Sequence, residues 1–348
     1  MNVKSFEIEN RKIGKGHPTF IVAEVGQAHD GSLGLAHSFI DSAADAGADA
    51  IKFQTHFAAE ESSRFDEFRV KFSYEDETRF DYWKRLEFTD EQWANLKDHC
   101  DSKGIVFLSS AFSDRAVTLL SKLKMPAWKV ASGETRNLPF IDRILGFGQP
   151  LLVSNGLSSD DELQNIKTMC DSKSVPVAFL QCTSSYPCEP ETIDINGINR
   201  LRDQFGCPSG LSDHSGNLTT SIAAMSLGAD ILEIHITYDR GSFGPDSKAS
   251  LNISELSQLI KARNYLHRLF QQQAEVPNWQ LTRRLFGKSF YSSEDIQIGQ
   301  TITWDNVQIL KPENGILASQ YEIVIGSVAT RNIKKGEAII ESDIKIDS

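Results

Sequence analysis

Eight short apolar runs recur through the first three quarters of the chain, each bounded by turn or polar residues. They lie at 19–25, 49–55, 105–110, 127–132, 150–155, 176–182, 208–213 and 230–237. Seven have the length and the aliphatic or aromatic content of buried strands, and "PSGLSD" at 208–213 is the weakest. Between most of them, apolar residues follow a helical spacing, as in "TDEQWANLKDHCDSKG" and "SDDELQNIKTMCDS". The pattern therefore predicts alternating strands and helices.

Strand and helix alternating eight times predict a parallel sheet, and eight strands close a (β/α)8 TIM barrel. An open, doubly wound sheet is the alternative architecture. Three of the helical stretches begin with Ser or Thr followed by acidic residues, which is typical of helix N-termini. The fold class predicted for residues 1–270 is thus α/β, as a TIM barrel.

The remainder of the chain has a different pattern. Residues 271–288 break the alternation and indicate a linker. An internal repeat follows, because "DIQIGQTITWDNV" at 295–307 matches "NIKKGEAIIESDI" at 332–344 with an offset of 37 residues. Each copy has an apolar anchor, a Gly turn and another apolar pair, so residues 289–348 are predicted to form a small β-rich domain.

Polar side chains interrupt the predicted barrel strands at regular positions. In "DILEIHIT", Glu233, His235 and Thr237 share one face, which we expect to look into the barrel, with His235 near its C-terminal mouth. The same alternation places further polar residues inside the barrel or at strand ends: Glu24, Lys52, Gln54, Ser110, Lys129, Ser132, Ser154, Ser212, Asp213 and His214. TIM-barrel enzymes carry their chemistry at this mouth, so an active site is predicted there.

Composition narrows the classes of function. The net charge is −11 and the chain has no basic cluster, which argues against a nucleic-acid partner. Five cysteines form no C-x-x-C pair, as expected of reduced thiols. The N-terminus lacks the apolar run of a signal peptide, and no stretch is apolar enough to span a membrane. We therefore expect a cytoplasmic, globular protein.

Two lysines on the inner face indicate an anion site. Lys52 and Lys129 would converge on a pocket lined with the serine hydroxyls named above, which suits a phosphate or a phospho-carboxylate. The alternative for either lysine alone is an ion pair with an inward carboxylate that stabilises the barrel. Convergence of both lysines favours the anion site.

Two histidines indicate a metal site. His214 and His235 end successive strands, so their imidazoles are predicted to approach one divalent ion beside Glu24 and Asp246. The alternative is a pair of hydrogen-bonded core histidines. For Tyr186, in "CTSSYP", the alternative to a role in binding is a core aromatic with a tethered hydroxyl.

These positions fall in motifs that resemble one known family. "AEVGQAHDG", "IKFQTH", "KVASGE", "LQCTSSYP", "GLSDHSG" and "EIHITYDRGSFGPDSKASL" occur in this order, and together they resemble the sialic acid synthase family, which makes nonulosonic acids such as N-acetylneuraminate. The tail from "GKSFYSSEDIQIGQTIT" onward resembles the antifreeze-like (SAF) domain of those enzymes. The resemblance covers nearly the whole chain.

The resemblance implies a condensation of phosphoenolpyruvate with an N-acyl hexosamine, such as N-acetylmannosamine, with release of phosphate. It implies that a divalent metal, commonly Mn²⁺ with Mg²⁺ or Co²⁺ as alternatives, is bound by His214 and His235. It places Glu24 and Glu134 near the reacting centre with both histidines. The implied phosphoenolpyruvate ligands are Lys52, Ser110, Lys129, Ser132, Ser154, Ser184 and Ser212. The implied sugar contacts are Gln54, Tyr186, Asp246 and Lys311, the last from a partner chain in a domain-swapped homodimer.

The sequence departs from the common bacterial pattern in three places. "AHDG" at 28–31 replaces "NHNG", and "GPDS" at 244–247 replaces "PDH". "LKPE" at 310–313 puts Lys311 where an arginine often meets the N-acyl group, and a lysine offers a point charge without a fork. The acceptor therefore stays open among N-acetylmannosamine, its 6-phosphate, and the diacetamido hexoses that lead to legionaminic or pseudaminic acid.

Three other functions remain as alternatives. A lyase or aldolase would use Lys129 or Lys52 as a Schiff-base nucleophile. A 3-deoxy-octulosonate or 3-deoxy-heptulosonate type of synthase would take a sugar phosphate, although such enzymes lack the antifreeze-like tail. A carbohydrate- or ice-binding protein would keep an inactive barrel, which conflicts with four costly polar groups at its mouth.

Overall fold

The computed structural model of the protein describes residues 3–68, 71–271 and 279–345. The chain divides into two compact units, Met1–Gln272 and Gln273–Ser348. Within the described parts of the chain, no helix is both long and apolar enough to cross a membrane.

The strands are β1 (Phe6–Ile8), β2 (Arg11–Ile13), β3 (Phe20–Gly26), β4 (Ala50–Thr55), β5 (Val106–Ala111), β6 (Trp128–Val130), β7 (Leu151–Ser154), β8 (Val177–Cys182), β9 (Ser209–Asp213), β10 (Ile231–Thr237), β11 (Leu251–Asn252), β12 (Ser289–Ser292), β13 (Val307–Leu310), β14 (Val328–Ala329) and β15 (Ile344–Lys345). The helices are α1 (Leu33–Ala46), α2 (Ala58–Glu61), α3 (Arg79–Leu86), α4 (Asp90–Lys103), α5 (Asp114–Lys122), α6 (Leu138–Leu145), α7 (Asp160–Ser172), α8 (Gly197–Phe205), α9 (Leu218–Ser226), α10 (Ile253–Phe270), α11 (Trp279–Phe286) and α12 (Tyr321–Val324).

The first unit is a closed parallel barrel of eight strands, β3 to β10. Each strand pairs with the next along the chain, and β10 returns to pair with β3. Every one of these pairings is parallel. The predicted TIM barrel is thus confirmed, and the weak run at 208–213 contains strand β9.

Helix starts follow the signals in the sequence. Thr89 and Ser159 cap α4 and α7 with reciprocal capping boxes, and Ser113 caps α5. These side chains satisfy backbone N–H groups that have no partner within the helix. Ser113 and Ser159 lie two and five residues after the ends of β5 and β7, so these two helix starts limit how far the strands before them extend.

The outward faces of the strands form the main core. Leu232, Ile234 and Ile236 of β10 are buried within the apolar cluster that joins the barrel to its helices. Alternation along the strand then turns Glu233 and His235 to the opposite face. The apolar contacts of one face therefore hold the polar face in place.

The second unit is built on the internal repeat. Ile296 and Ile333, equivalent residues of the two copies, form a bridge to each other and are fully buried. Gly299 and Gly336 are also equivalent, and both adopt positive φ angles near 84°, where a side chain would be strained. In the predicted linker at 271–288, residues 279–286 form α11, while residues 272–278 lie outside the described part of the chain.

Candidate active site

Strand register brings the polar positions of the barrel side by side. Glu24 of β3 lies opposite Lys52 of β4 on one side and His235 of β10 on the other. Glu233 of β10 lies opposite Ser212 of β9. Neighbouring strands therefore contribute inward side chains at the same level, near their C-terminal ends.

The floor of this mouth is a buried cluster of charges centred on Glu233. Its carboxylate lies 3.3 Å from Lys129 Nζ and 3.8 Å from Lys52 Nζ, and it accepts a hydrogen bond of 3.1 Å from Ser212. Lys52 also lies 2.7 Å from Glu24. Each charge in the cluster is at most 5% exposed, so water contributes little to its solvation.

Serine hydroxyls extend the cluster as predicted. Lys52 Nζ donates to Ser110 at 3.2 Å, and Lys129 Nζ donates to Ser154 at 2.9 Å. Cationic donors and hydroxyls within one pocket are the groups that bind a multivalent oxyanion. A further pair of hydroxyls, 3.1 Å apart, belongs to Ser132 and Ser184.

Burial and charge set the protonation of the cluster. Burial alone would raise the pKa of Glu233, but Lys129 and Lys52 outweigh it and lower that pKa to about 2. Burial raises the pKa of Glu24, although Lys52 opposes the shift. The pKa of Lys52 is raised, because the two carboxylates outweigh the effect of burial. Lys52 is thus held as a cation, which is unlike the lowered pKa of a Schiff-base nucleophile.

The two predicted metal ligands lie together beside Tyr186. The rings of His214 and His235 are 5.4 Å apart between centroids. His214 donates through Nδ1 to the carbonyl of Thr183 at 2.8 Å, and its Nε2 accepts from the Tyr186 hydroxyl at 3.0 Å. Burial, followed by the charge of His235, lowers the pKa of His214 to about 3. In this tautomer the Nε2 lone pair points at the Tyr186 hydroxyl, so a metal on His214 would replace that hydrogen bond.

Several features fit a divalent cation at this place. His235 Nδ1 is buried without a hydrogen-bond partner in the described structure and lies 3.9 Å from Asp246 Oδ2. A Cβ atom on Gly26 would come within 3.3 Å of Asp246 and 3.4 Å of the His235 ring, so glycine keeps this space open. Among the described residues, no group of three or more His, Cys, Asp and Glu side chains is arranged around one point. A metal here would therefore rely on two imidazoles, with water and substrate completing its shell.

The remaining predicted site residues occupy different places. Gln54 lies in the mouth and donates through Nε2 to Glu24 at 2.7 Å. Glu134 is half-buried and accepts from Asn137 at 3.1 Å. Lys311 belongs to the second unit, where its Nζ lies 5.0 Å from the centre of the Phe286 ring.

The central place of Glu233 was not predicted from the sequence. Its position on the inner face was expected without a function, whereas in the structure it is the carboxylate that meets both lysines. No role was predicted for His56, which lies at the end of "IKFQTH". The useful signal for Glu233 was its position two residues before His235, on the same face of β10.

Comparisons with known proteins identify the family of this chain. A model of the NeuB family matches residues 39–274, and a model of the SAF domain matches residues 287–345. The NeuB match covers well over half of the chain.

Curated and solved relatives are similar along the chain. N,N'-diacetyllegionaminic acid synthase of Campylobacter jejuni is 32% identical over 93% of this chain and 99% of its own length. N-acetylneuraminate-9-phosphate synthase of Mus musculus is 30% identical over 97% of this chain and 96% of its own length. The crystal structure of an N-acetylneuraminic acid (sialic acid) synthetase from Leptospira borgpetersenii, in complex with citrate, matches with a TM-score of 0.71 and 29% identity, covering 80% of this chain and 94% of that one.

Proposed function

Because this chain belongs to the NeuB family, we propose that it condenses phosphoenolpyruvate with an N-acyl hexosamine and water to give a nonulosonic acid and inorganic phosphate. N-acetylmannosamine is the proposed acceptor and N-acetylneuraminate the proposed product. The observation that carries the proposal is the pair of buried lysines with their serine partners, directly beside two histidines at the barrel mouth.

The anion cluster is proposed to bind phosphoenolpyruvate. The substrate brings a carboxylate and a phosphate, and Lys52 and Lys129 are already held as donors by Glu233. The serine hydroxyls named above supply neutral donors to the same oxygens. The lysines then ease departure of phosphate, because they neutralise the charge on the leaving group.

The bonds made and broken define what the residues must do. The methylene carbon of phosphoenolpyruvate bonds to the aldehyde carbon of the open-chain sugar, whose oxygen takes up a proton. Water adds with loss of a proton to the neighbouring carbon, which carries the phosphate. The C–O bond to phosphate then breaks, the added hydroxyl gives up its proton, and a ketone remains. Glu24 is the proposed proton acceptor for water, since burial raises the pKa of its carboxyl.

His214 and His235 are the proposed holders of a divalent metal, with Mn²⁺ the first choice. When bound, such an ion supplies Lewis-acid polarisation of the aldehyde oxygen. Tyr186, Gln54 and Asp246 lie around the same opening and are the proposed contacts of the sugar.

Several acceptor sugars are alternatives, because the relatives include an N,N'-diacetyllegionaminic acid synthase and an N-acetylneuraminate-9-phosphate synthase. The test is phosphate release from phosphoenolpyruvate with Mn²⁺, comparing N-acetylmannosamine, its 6-phosphate and 2,4-diacetamido-2,4,6-trideoxyhexoses. We expect chelator-sensitive release with N-acetylmannosamine. Release with another of these sugars would replace the acceptor, and no release with any of them would overturn the proposed reaction.

The proposal extends to a head-to-tail homodimer in which Lys311 of one chain serves the barrel of its partner. The family resemblance supports it, and complementation tests it. A Lys311→Ala chain mixed with a Lys129→Met chain would form one site from an intact barrel and an intact tail. We expect activity to return on mixing. No return in verified mixed dimers would mean that each tail serves its own barrel.

A further inference from the structure

A continuous network of hydrogen bonds leads from Glu61, at the end of α2, to the mouth of the barrel. His56 Nδ1 lies 2.6 Å from Glu61 Oε1, and His56 Nε2 lies 2.9 Å from Gln27 Nε2. Gln27 Nε2 donates at 2.7 Å to Gln54 Oε1, and Gln54 Nε2 donates at 2.7 Å to Glu24 Oε1. The network therefore ends on two residues of the proposed catalytic and sugar-binding groups.

His56 is held in place by two aromatic rings. Its imidazole is stacked on Trp83 at 4.0 Å and 11°, and on Phe112 at 4.6 Å and 7°. These rings come from α3 and from the residue after β5, while His56 itself follows β4. Stacking on both faces leaves only the ring edge for hydrogen bonds, and the imidazole is only 6% exposed.

Each hydrogen bond in this series, from Glu24 back to Glu61, has a defined donor and a defined acceptor. A carboxylate only accepts, so Glu61 holds a proton of His56 on Nδ1, and in the neutral ring Nε2 then carries a lone pair. Nε2 has two amide neighbours, Gln27 Nε2 at 2.9 Å and Gln54 Oε1 at 3.2 Å, and in this tautomer it accepts from the nearer one, Gln27. Gln27 must then offer its amide N–H groups, one to His56 and one to the oxygen of Gln54. With its oxygen occupied in this way, Gln54 is obliged to turn its NH₂ group toward Glu24.

We propose that Glu61 and His56 are positioning residues that set the amide orientation of Gln54 at the mouth. The proposal rests on the proposed function, in which Gln54 contacts the acceptor sugar. One N–H of Gln54 is used by Glu24, and the other is available to an oxygen of the substrate. Gln54 thus presents a donor, so the acceptor must place a carbonyl or hydroxyl oxygen there.

The opposite orientation of Gln54 would be unfavourable at both ends. Its carbonyl oxygen would face the carboxylate of Glu24, and its NH₂ group would face the donating amide of Gln27. A polar group that loses its partner in a buried site is destabilising. The orientation is therefore decided outside the substrate pocket, at Glu61.

The first experiment observes the histidine tautomer directly. In the full-length protein labelled with ¹⁵N-histidine, ring ¹⁵N shifts should show His56 as neutral with the proton on Nδ1. Glu61→Gln should move the proton to Nε2 or mix the tautomers. A doubly protonated ring, or a spectrum unchanged by Glu61→Gln, would overturn the relay. This readout needs no substrate, so it stays informative even if the proposed reaction fails.

The second experiment separates the two substrates. Glu61→Gln and His56→Phe, which keeps the aromatic stack, should each lower kcat/KM for the acceptor by about 10- to 100-fold, with KM for phosphoenolpyruvate changed by less than about twofold because its lysines are not in the relay. The double variant should be no worse than the more severe single one, since the two residues act in series. Equal losses for both substrates, or additive losses in the double variant, would assign the pair a structural role only.

A matched control lies on the outside of the barrel. His99 of α4 also meets a carboxylate, with Nε2 at 3.2 Å from Asp41 Oδ1. Asp41→Asn makes the same carboxylate-to-amide change without reaching the mouth, and it should leave both kinetic constants within about twofold of wild type. Wild-type protein without sugar-dependent phosphate release would instead contradict the proposed function itself.

Discussion

The barrel and the SAF domain bury charge in different ways. In the barrel mouth, acidic and basic partners are buried together: Glu24, Lys52, Lys129 and Glu233. In the SAF domain, the buried carboxylate of Asp343 pairs with Arg331, whose guanidinium is nearly half exposed. The second arrangement keeps one partner in contact with water and joins the two ends of the second repeat copy. Desolvating both partners is the costlier arrangement, and apolar side chains would often fill such a space more stably. The buried charges therefore lower the stability of the barrel at the place where it is proposed to bind an anion.

Glu233→Gln tests this difference between the two buried ion-paired regions and is expected to have the largest effect. It leaves the buried Lys129 without its carboxylate partner, while Lys52 keeps Glu24, so we expect the free energy of unfolding of the barrel to fall by about 3–5 kcal/mol. Urea denaturation of the full chain measures the loss. Asp343→Asn is the matched change in the SAF domain, where an exposed arginine remains solvated, and it should cost about 1 kcal/mol.

Phosphoenolpyruvate should sharpen the same comparison. Added to Glu233→Gln, it should raise the unfolding midpoint more than it does for wild type, because Lys129 then lacks its carboxylate partner. Similar losses in Glu233→Gln and Asp343→Asn would mean that the two ion-paired regions are equivalent after all.

Acidic pH should lower the stability of the first unit, which contains the histidines, more than that of the second. All eight histidines lie before residue 268, and burial lowers the pKa of His29 from its ordinary value of 6.5 to about 4. Between these pH values the unfolded chain binds a proton at His29 that the folded chain does not. Stability should therefore fall by about 3 kcal/mol as pH drops from 6.5 to 4.

His29→Asn tests this assignment, because Asn Oδ1 can accept from the backbone of Gly31 as His29 Nδ1 does. Urea midpoints measured from pH 7 to pH 4 should decline less in the variant than in wild type. Parallel pH profiles for the two proteins would show that His29 does not carry the acid sensitivity.

The smallest expected effect is a difference in kcat/KM between two lysine substitutions, one at a buried lysine and one at an exposed lysine. Lys129→Met removes a donor that lies 2.9 Å from Ser154 in the anion cluster, and kcat/KM for phosphoenolpyruvate should fall about a hundredfold. Lys334→Met removes a surface ion pair with Asp295 in the SAF domain and should change it less than about twofold. Initial rates of phosphate release give both values, and a small effect of Lys129→Met would remove this lysine from the proposed site.

The sequence predicted the barrel because its signal is local. Strand alternation and capping residues are each visible within a few turns of chain, and the structure confirms the barrel that they indicate. Contacts between side chains of different strands cannot be predicted from such local sequence patterns. The inner face of β10 was predicted, but the meeting of Glu233 with both lysines depends on side chains from three strands.

The relay through His56 shows the same limit more strongly. Its members come from the ends of neighbouring strands and from α2, and its stacking partners come from α3 and the residue after β5. Nothing in the spacing of "IKFQTH" indicates which rings will enclose the histidine. The roles of the individual site residues remain predictions that the experiments above address.

The pairing of β10 with β3 has a consequence for synthesis and folding of the chain. Glu24 and His235 become neighbours across this last seam although more than two hundred residues separate them in sequence. A nascent chain that has not yet produced β10 contains both lysines but neither Glu233 nor His235. Loop closure over such a separation is slow compared with local pairing. A partly made barrel therefore has no complete site, and catalytic competence can appear only after the first and last strands have met.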